Sequence, residues 1–78
     1  MIFKININTP EAAQELNRIA SKYPFDIQVK SRNGQADAKS LLGTMLLTIE
    51  RDLTLITEDG ADTRLLELDL KPYIEKFV

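Results

Sequence analysis

The sequence predicts an α+β fold in the order β-α-β-β-α-β-α: a four-stranded antiparallel sheet with three helices on one face. Three observations lead there. Apolar and polar residues alternate in four short stretches, two of which flank an Asn-Gly turn pair. The other segments place apolar residues at three- and four-residue spacing behind a capping residue. Helices that join antiparallel strands leave the second face of the sheet to water.

Residues Ile2 to Ile7 form the first strand, with Phe3, Ile5 and Ile7 on one face. Asn8-Thr9-Pro10-Glu11 is a helix start: Thr9 caps free N–H groups, Pro10 suits the first helical position, and Glu11 faces the positive end of the dipole. Ala12, Leu16, Ile19, Ala20 and Tyr23 make the apolar face of that helix, which Pro24 ends. Asp26 to Ser31 is the second strand, with Ile27 and Val29 inward. Asn33-Gly34 predicts a tight hairpin with positive φ at both residues, returning through Gln35 to Ala38. Ser40 caps a second, shorter helix, and Leu53 to Glu58 is the fourth strand. After the turn Asp59-Gly60-Ala61, Asp62 caps a last helix carrying Leu65, Leu66, Leu70, Tyr73, Ile74 and Phe77. Pro72 inside that pattern predicts a kink or a restart as a separate turn.

A chain of 78 residues holds one hydrophobic core, so residues 1–78 are read as a single domain. An apolar share of 44% and a charged share of 28% fit a folded protein. The net charge of −2, from 10 basic and 12 acidic residues, speaks against nucleic acid or an acidic membrane as partner. The absence of cysteine removes disulfides and thiolate metal sites and favours a reducing, cytoplasmic location. The alternating start, Met1-Ile2-Phe3-Lys4, is not that of a signal peptide.

The run Asp37-Ala38-Lys39-Ser40-Leu41-Leu42-Gly43-Thr44-Met45-Leu46-Leu47 resembles the serine-site region of HPr, the histidine-containing phosphocarrier of the bacterial sugar phosphotransferase system. That family typically reads Lys-Ser-Ile-Met-Gly-Val-Met-Ser-Leu here. Ala20-Ser21-Lys22-Tyr23 with Asp26-Ile27-Gln28-Val29 resembles the end of the family's first helix and its second strand. Asn33-Gly34 and Asp59-Gly60-Ala61-Asp62 match two of its turns, and the register holds apart from a short gap around Glu50-Arg51-Asp52. The resemblance implies the HPr-like open-faced β-sandwich.

The departure falls where the family carries its phosphoryl group, on the histidine of a His-Ala-Arg-Pro-Ala run. Counting back from Lys39-Ser40 places Thr9 at that histidine, Pro10 at the alanine, Glu11 at the arginine and Ala12 at the proline. Imidazole suits reversible transfer because its nitrogen is nucleophilic near neutral pH. A threonine hydroxyl without a base is not, and Glu11 repels phosphate where the family has a cation. Phosphocarrier chemistry is therefore not expected.

Ser40 is the candidate regulatory site, because the resemblance places it at the serine that a dedicated kinase phosphorylates in many Gram-positive bacteria. A phosphate there would meet the free N–H groups of a helix start. A plain helix cap explains the same serine and stays open. Lys39, Leu41, Leu42, Met45 and Leu46, together with the start of the first helix, form the candidate partner surface. Glu58, Asp59 and Asp62 lack the spacing of a calcium loop and read as turn and cap residues. Arg32, Arg51 and Arg64 make no cluster in sequence. No nucleophile–base pair, glycine-rich phosphate loop or metal-ligand spacing is present, so neither catalysis, a metal nor a cofactor is expected.

The expected role is a non-catalytic regulatory or protein-docking module. Its partners would be other proteins, an HPr-type kinase or a transcriptional regulator among them. A structural or assembly subunit without phosphorylation, or a small-molecule binder using the open sheet face, remains the alternative.

Overall fold

The computed structural model describes the backbone of residues 1–77 and the side chains of residues 1–75. Its elements are β1 (Ile2–Ile5), α1 (Pro10–Ala20), β2 (Ile27–Lys30), β3 (Gln35–Asp37), α2 (Leu41–Leu46), β4 (Leu53–Thr57), α3 (Arg64–Asp69) and β5 (Ile74–Phe77). Single 3-10 turns at Leu47–Ile49 and Lys71–Tyr73 follow α2 and α3.

The α+β architecture with three helices and an antiparallel sheet is present, but the sheet has five strands, not four, in the order β3-β2-β4-β1-β5. The extra strand corrects the reading of the C-terminus. Tyr73, Ile74 and Phe77 have helical spacing, yet α3 ends at Asp69. Proline has no N–H to give a helix and its ring clashes with the preceding turn. Around Pro72 the chain takes one 3-10 turn, and the N–H of Tyr73 bonds the Leu70 carbonyl at 2.8 Å. Ile74–Phe77 then pairs antiparallel with β1, with Ile5 opposite Ile74 and Phe3 opposite Phe77. The Phe77 side chain, expected to pack as helix core, lies outside the described residues.

Period-two alternation places the core. Phe3 pairs with Leu55 and Leu55 with Val29, so three fully buried side chains form a row across β1, β4 and β2. Ile5, Ile7, Ile27 and Leu53 extend that face, and Leu16, Ile19, Leu66 and Leu70 cover it. Full burial of such a side chain stabilises the fold by about 1.5–3 kcal/mol. Lys4, Gln28, Thr54 and Ile56 alternate onto the opposite face.

Smaller differences have local causes. In α1 Ala13 is buried along with Ala20, while Ala12 is half-buried. The helix stops at Ala20, three residues before Tyr23. Tyr23 instead packs against Phe25, ring centres 5.5 Å apart. Neither Asn33 nor Gly34 has positive φ. A four-residue loop replaces the tight turn: the buried Ser31 hydroxyl accepts the N–H groups of Asn33 and Gly34 at 3.2 and 2.9 Å. Asp52, where the family resemblance has its gap, takes φ 56°, a left-handed conformation that aspartate tolerates better than most residues.

Candidate functional site

Two helix starts carry the predicted site residues. At the first, Thr9 is extended (φ −131°, ψ 154°), and its hydroxyl accepts the Ala12 N–H at 3.1 Å. Pro10 fills the first helical position, and Glu11 is exposed in the first turn. This is a structural cap, with the threonine hydroxyl engaged by the backbone of its own helix.

At the second, Ser40 is exposed and its hydroxyl accepts the Gly43 N–H at 3.4 Å, a long bond. The turn behind it is firmer. The Lys39 N–H bonds the Asp37 carboxylate at 2.9 Å and the Ser40 N–H bonds the Asp37 carbonyl at 2.9 Å. From inside α2, the buried Thr44 donates its hydroxyl to the Ser40 carbonyl at 2.9 Å. Gly43 sits at a close approach: a Cβ there would lie 3.2 Å from the Ala36 Cβ and 3.3 Å from the Ser40 hydroxyl oxygen, so those neighbours would have to give by a few tenths of an ångström.

Lys39 does not stand free beside Ser40. Its ammonium donates to the Tyr23 carbonyl at 2.6 Å, just past the end of α1. The Asn17 amide, on the second half of α1, donates to the Ala38 carbonyl at 3.3 Å. The start of α2 therefore lies against the end of α1. At the other end, Asn6, Ile7 and Asn8, which lead into α1, line one depression with Thr48, Ile49, Glu50, Arg51 and Asp52, which follow α2. The two helices run antiparallel, and Thr9 and Ser40 sit at opposite ends of α1. From Thr9 to Asn17 the helix rises about 12 Å.

The residues of the candidate apolar surface differ in exposure. Leu42 and Leu46 are 73% and 67% exposed, and Ile49, one turn on, is 88% exposed. These three follow i, i+4, i+7 spacing and form a stripe from the Ser40 end toward the loop before Thr9. Leu41 is at its margin at 40% exposed, while Met45 is half-buried. Ile49 was absent from the sequence-based set, although the spacing from Leu42 signals it. The Tyr23 carbonyl had no signal, since its contact with Lys39 is distant in sequence, whereas Thr44 and Gly43 act on Ser40 within one helical turn.

Glu58 and Asp62, two of the acidic residues before α3, are occupied. Glu58 accepts the Asp26 N–H at 2.6 Å. Asp62, expected as the cap, accepts the Arg64 N–H at 3.2 Å, but the cap position itself is Thr63, whose hydroxyl bonds the Glu67 carboxylate at 2.9 Å. Hydrogen bonds from the Arg64 guanidinium hold the Asp62 carboxyl down at about 2. Tyr23 donates its hydroxyl to Asp69 at 2.6 Å, and Lys22 pairs with the same carboxylate at 3.1 Å. Burial, then the Asp69 carboxylate, pushes the Tyr23 hydroxyl up to about 12. Among the described residues no group of three acidic side chains is placed to hold a metal ion, and no helix is long and apolar enough to cross a membrane.

Comparison with solved structures matches this arrangement to the crystal structure of HPr-C-His from Thermoanaerobacter tengcongensis, at a TM-score of 0.65 and 24% sequence identity, over 92% of this chain and 85% of that one. The fold is HPr-like. No family model matches the sequence, and no curated protein matches it. On this HPr-like fold the sequence carries no histidine at any position.

Proposed function

We propose that this chain is an HPr-like protein without phosphocarrier activity, acting as a non-catalytic docking module whose partner surface is the α2 stripe. The observation that carries the reading is the exposed Leu42–Leu46–Ile49 stripe, which begins beside Ser40. Exposed leucines and isoleucine in a row cost solubility without adding to the core, so an unpartnered stripe suits contact with another protein.

Phosphorylation of Ser40 is the proposed switch. The serine is exposed and its capping bond is long, so little is lost when the hydroxyl is modified. A phosphate would put a charge of about −2 at the head of the apolar stripe and change which partner can cover it. The Lys39 ammonium is held by the Tyr23 carbonyl, so the phosphate would rest on the backbone N–H groups of Gly43 and its neighbours rather than on that lysine. Thr9, whose hydroxyl is spent on the Ala12 N–H, supports the loss of carrier chemistry.

The partner in hand for a test is an HPr-type kinase. Binding of the chain to immobilised kinase is expected to weaken about tenfold in the double variant Leu42→Ser, Leu46→Ser, which removes two exposed apolar anchors without touching the core. Unchanged binding of that variant contradicts the docking surface.

A further inference from the structure

A second apolar surface lies away from α2. The loop that follows α1 and the segment that opens α3 together form a groove lined by Tyr23, Pro24, Phe25, Asp62, Arg64 and Leu65. The two loops are pinned to each other, since the Asp26 N–H bonds the Glu58 carboxylate at 2.6 Å and the Glu58 N–H bonds the Asp26 carbonyl at 3.3 Å. Leu65 at the groove and Leu68 one turn further are 68% and 67% exposed. Tilted stacking of Tyr23 on Phe25 makes one wall, and the Tyr23 hydroxyl bond to Asp69 fixes that wall to α3.

Charge selects the occupant. Residues 22–26 and 58–69 hold six acids, Asp26, Glu58, Asp59, Asp62, Glu67 and Asp69, against two bases, Lys22 and Arg64. Both bases are already paired, Lys22 with Asp69 at 3.1 Å and Arg64 with Asp62 at 2.7 Å. The rest of the chain is reversed in sign, with eight bases against six acids. Among the described residues Asp26, next to Phe25, and Asp59, next to the Glu58 that pins the two loops, have no ion-pair partner, and an apolar groove flanked by such carboxylates favours an apolar side chain between cations and repels acidic segments.

We propose that this groove is a second docking site, for a partner protein's segment that carries an aromatic or aliphatic side chain flanked by lysine or arginine. The apolar residue would lie against Phe25 and Leu65, and its basic neighbours would meet Asp26 and Asp59.

The test is selection of a phage-displayed random peptide library on the intact immobilised chain, followed by titration of the enriched peptides into the isotopically labelled protein. Enriched peptides are expected to place an apolar residue between basic ones and to shift the amides of residues 23–26 and 58–65. They should bind Leu65→Ser about tenfold more weakly and also weaken in Asp59→Lys. Both sites are exposed, and an unchanged far-UV circular dichroism spectrum confirms that each variant is folded. No enrichment, peptides without basic residues, shifts confined to the α2 leucines, or full affinity for Leu65→Ser would each overturn the proposal, as would self-association of the chain lost in Leu65→Ser.

Discussion

The ammonium of Lys39 donates to the backbone carbonyl of Tyr23 at 2.6 Å, tying the residue before Ser40 to the end of α1. α2 is six residues long and buries little beyond Thr44, so a charged hydrogen bond of this kind is a main anchor for its start.

Lys39→Met keeps the apolar stem and removes the donor. It is expected to lower stability by about 1.5–3 kcal/mol, the range for a hydrogen bond made by a charged group. Urea denaturation checks the total. Amide hydrogen exchange checks the place, with protection lost first at Gly43 and Thr44.

Gly43→Ala offers a test of sign. In an open helix, alanine would gain about 1 kcal/mol over glycine. Here the new methyl would meet the Ala36 Cβ at 3.2 Å and the Ser40 hydroxyl at 3.3 Å, so a loss of about 1 kcal/mol is expected instead. Ala36→Gly in the same chain should recover part of that loss, measured as the shift in the urea midpoint.

Much of this was legible in the sequence, where local rules apply. Phe3, Ile5 and Ile7 alternate because one face of the strand is buried, and Thr9-Pro10 declares a helix start in two residues. The edge strand β5 was hidden because Tyr73, Ile74 and Phe77 repeat at a helical interval over a segment too short to decide the period. Pro72 marked the break, but not that the chain beyond it would extend. Asn33-Gly34 pointed to a hairpin, yet the Ser31 hydroxyl set a different loop. At the candidate site, Ser40 and the exposed leucines were visible as a pattern. The antiparallel run of α1 and α2, which puts Ser40 and Thr9 at opposite ends, depends on Asn17–Ala38 and Lys39–Tyr23, contacts that no local spacing encodes.

Tyr23 gives a pH prediction. Its hydroxyl is raised to about 12, first by burial and then by the Asp69 carboxylate. A group whose pKa is raised by folding binds its proton more tightly in the native state. Its stabilising effect is therefore complete below the ordinary tyrosine value near 10 and lost as pH rises toward 12. In a Tyr73→Phe background, where Tyr23 is the one remaining tyrosine, the phenolate absorbance should rise with a midpoint near 12. Asp69→Asn should lower that midpoint only partway toward the ordinary value, because burial is the larger cause.

Asp69 titrates at the other extreme. Hydrogen bonds from Tyr23 and then Lys22 hold its carboxyl below the usual range. The stabilisation it supplies is present above the unfolded value near 4 and is lost as pH falls below that. Tyr23→Phe should reduce the fall of the urea midpoint as pH drops below about 4, with little difference in slope above it.

The fold is HPr-like; the regulatory position at Ser40 and the loss of a phosphoryl carrier at Thr9 are what we propose for it. Intact-mass spectrometry after incubation with an HPr kinase and ATP tests the Ser40 position most directly. A single added phosphate is expected, located on Ser40 and lost in Ser40→Ala; no phosphate, or equal incorporation in Ser40→Ala, would refute the proposal.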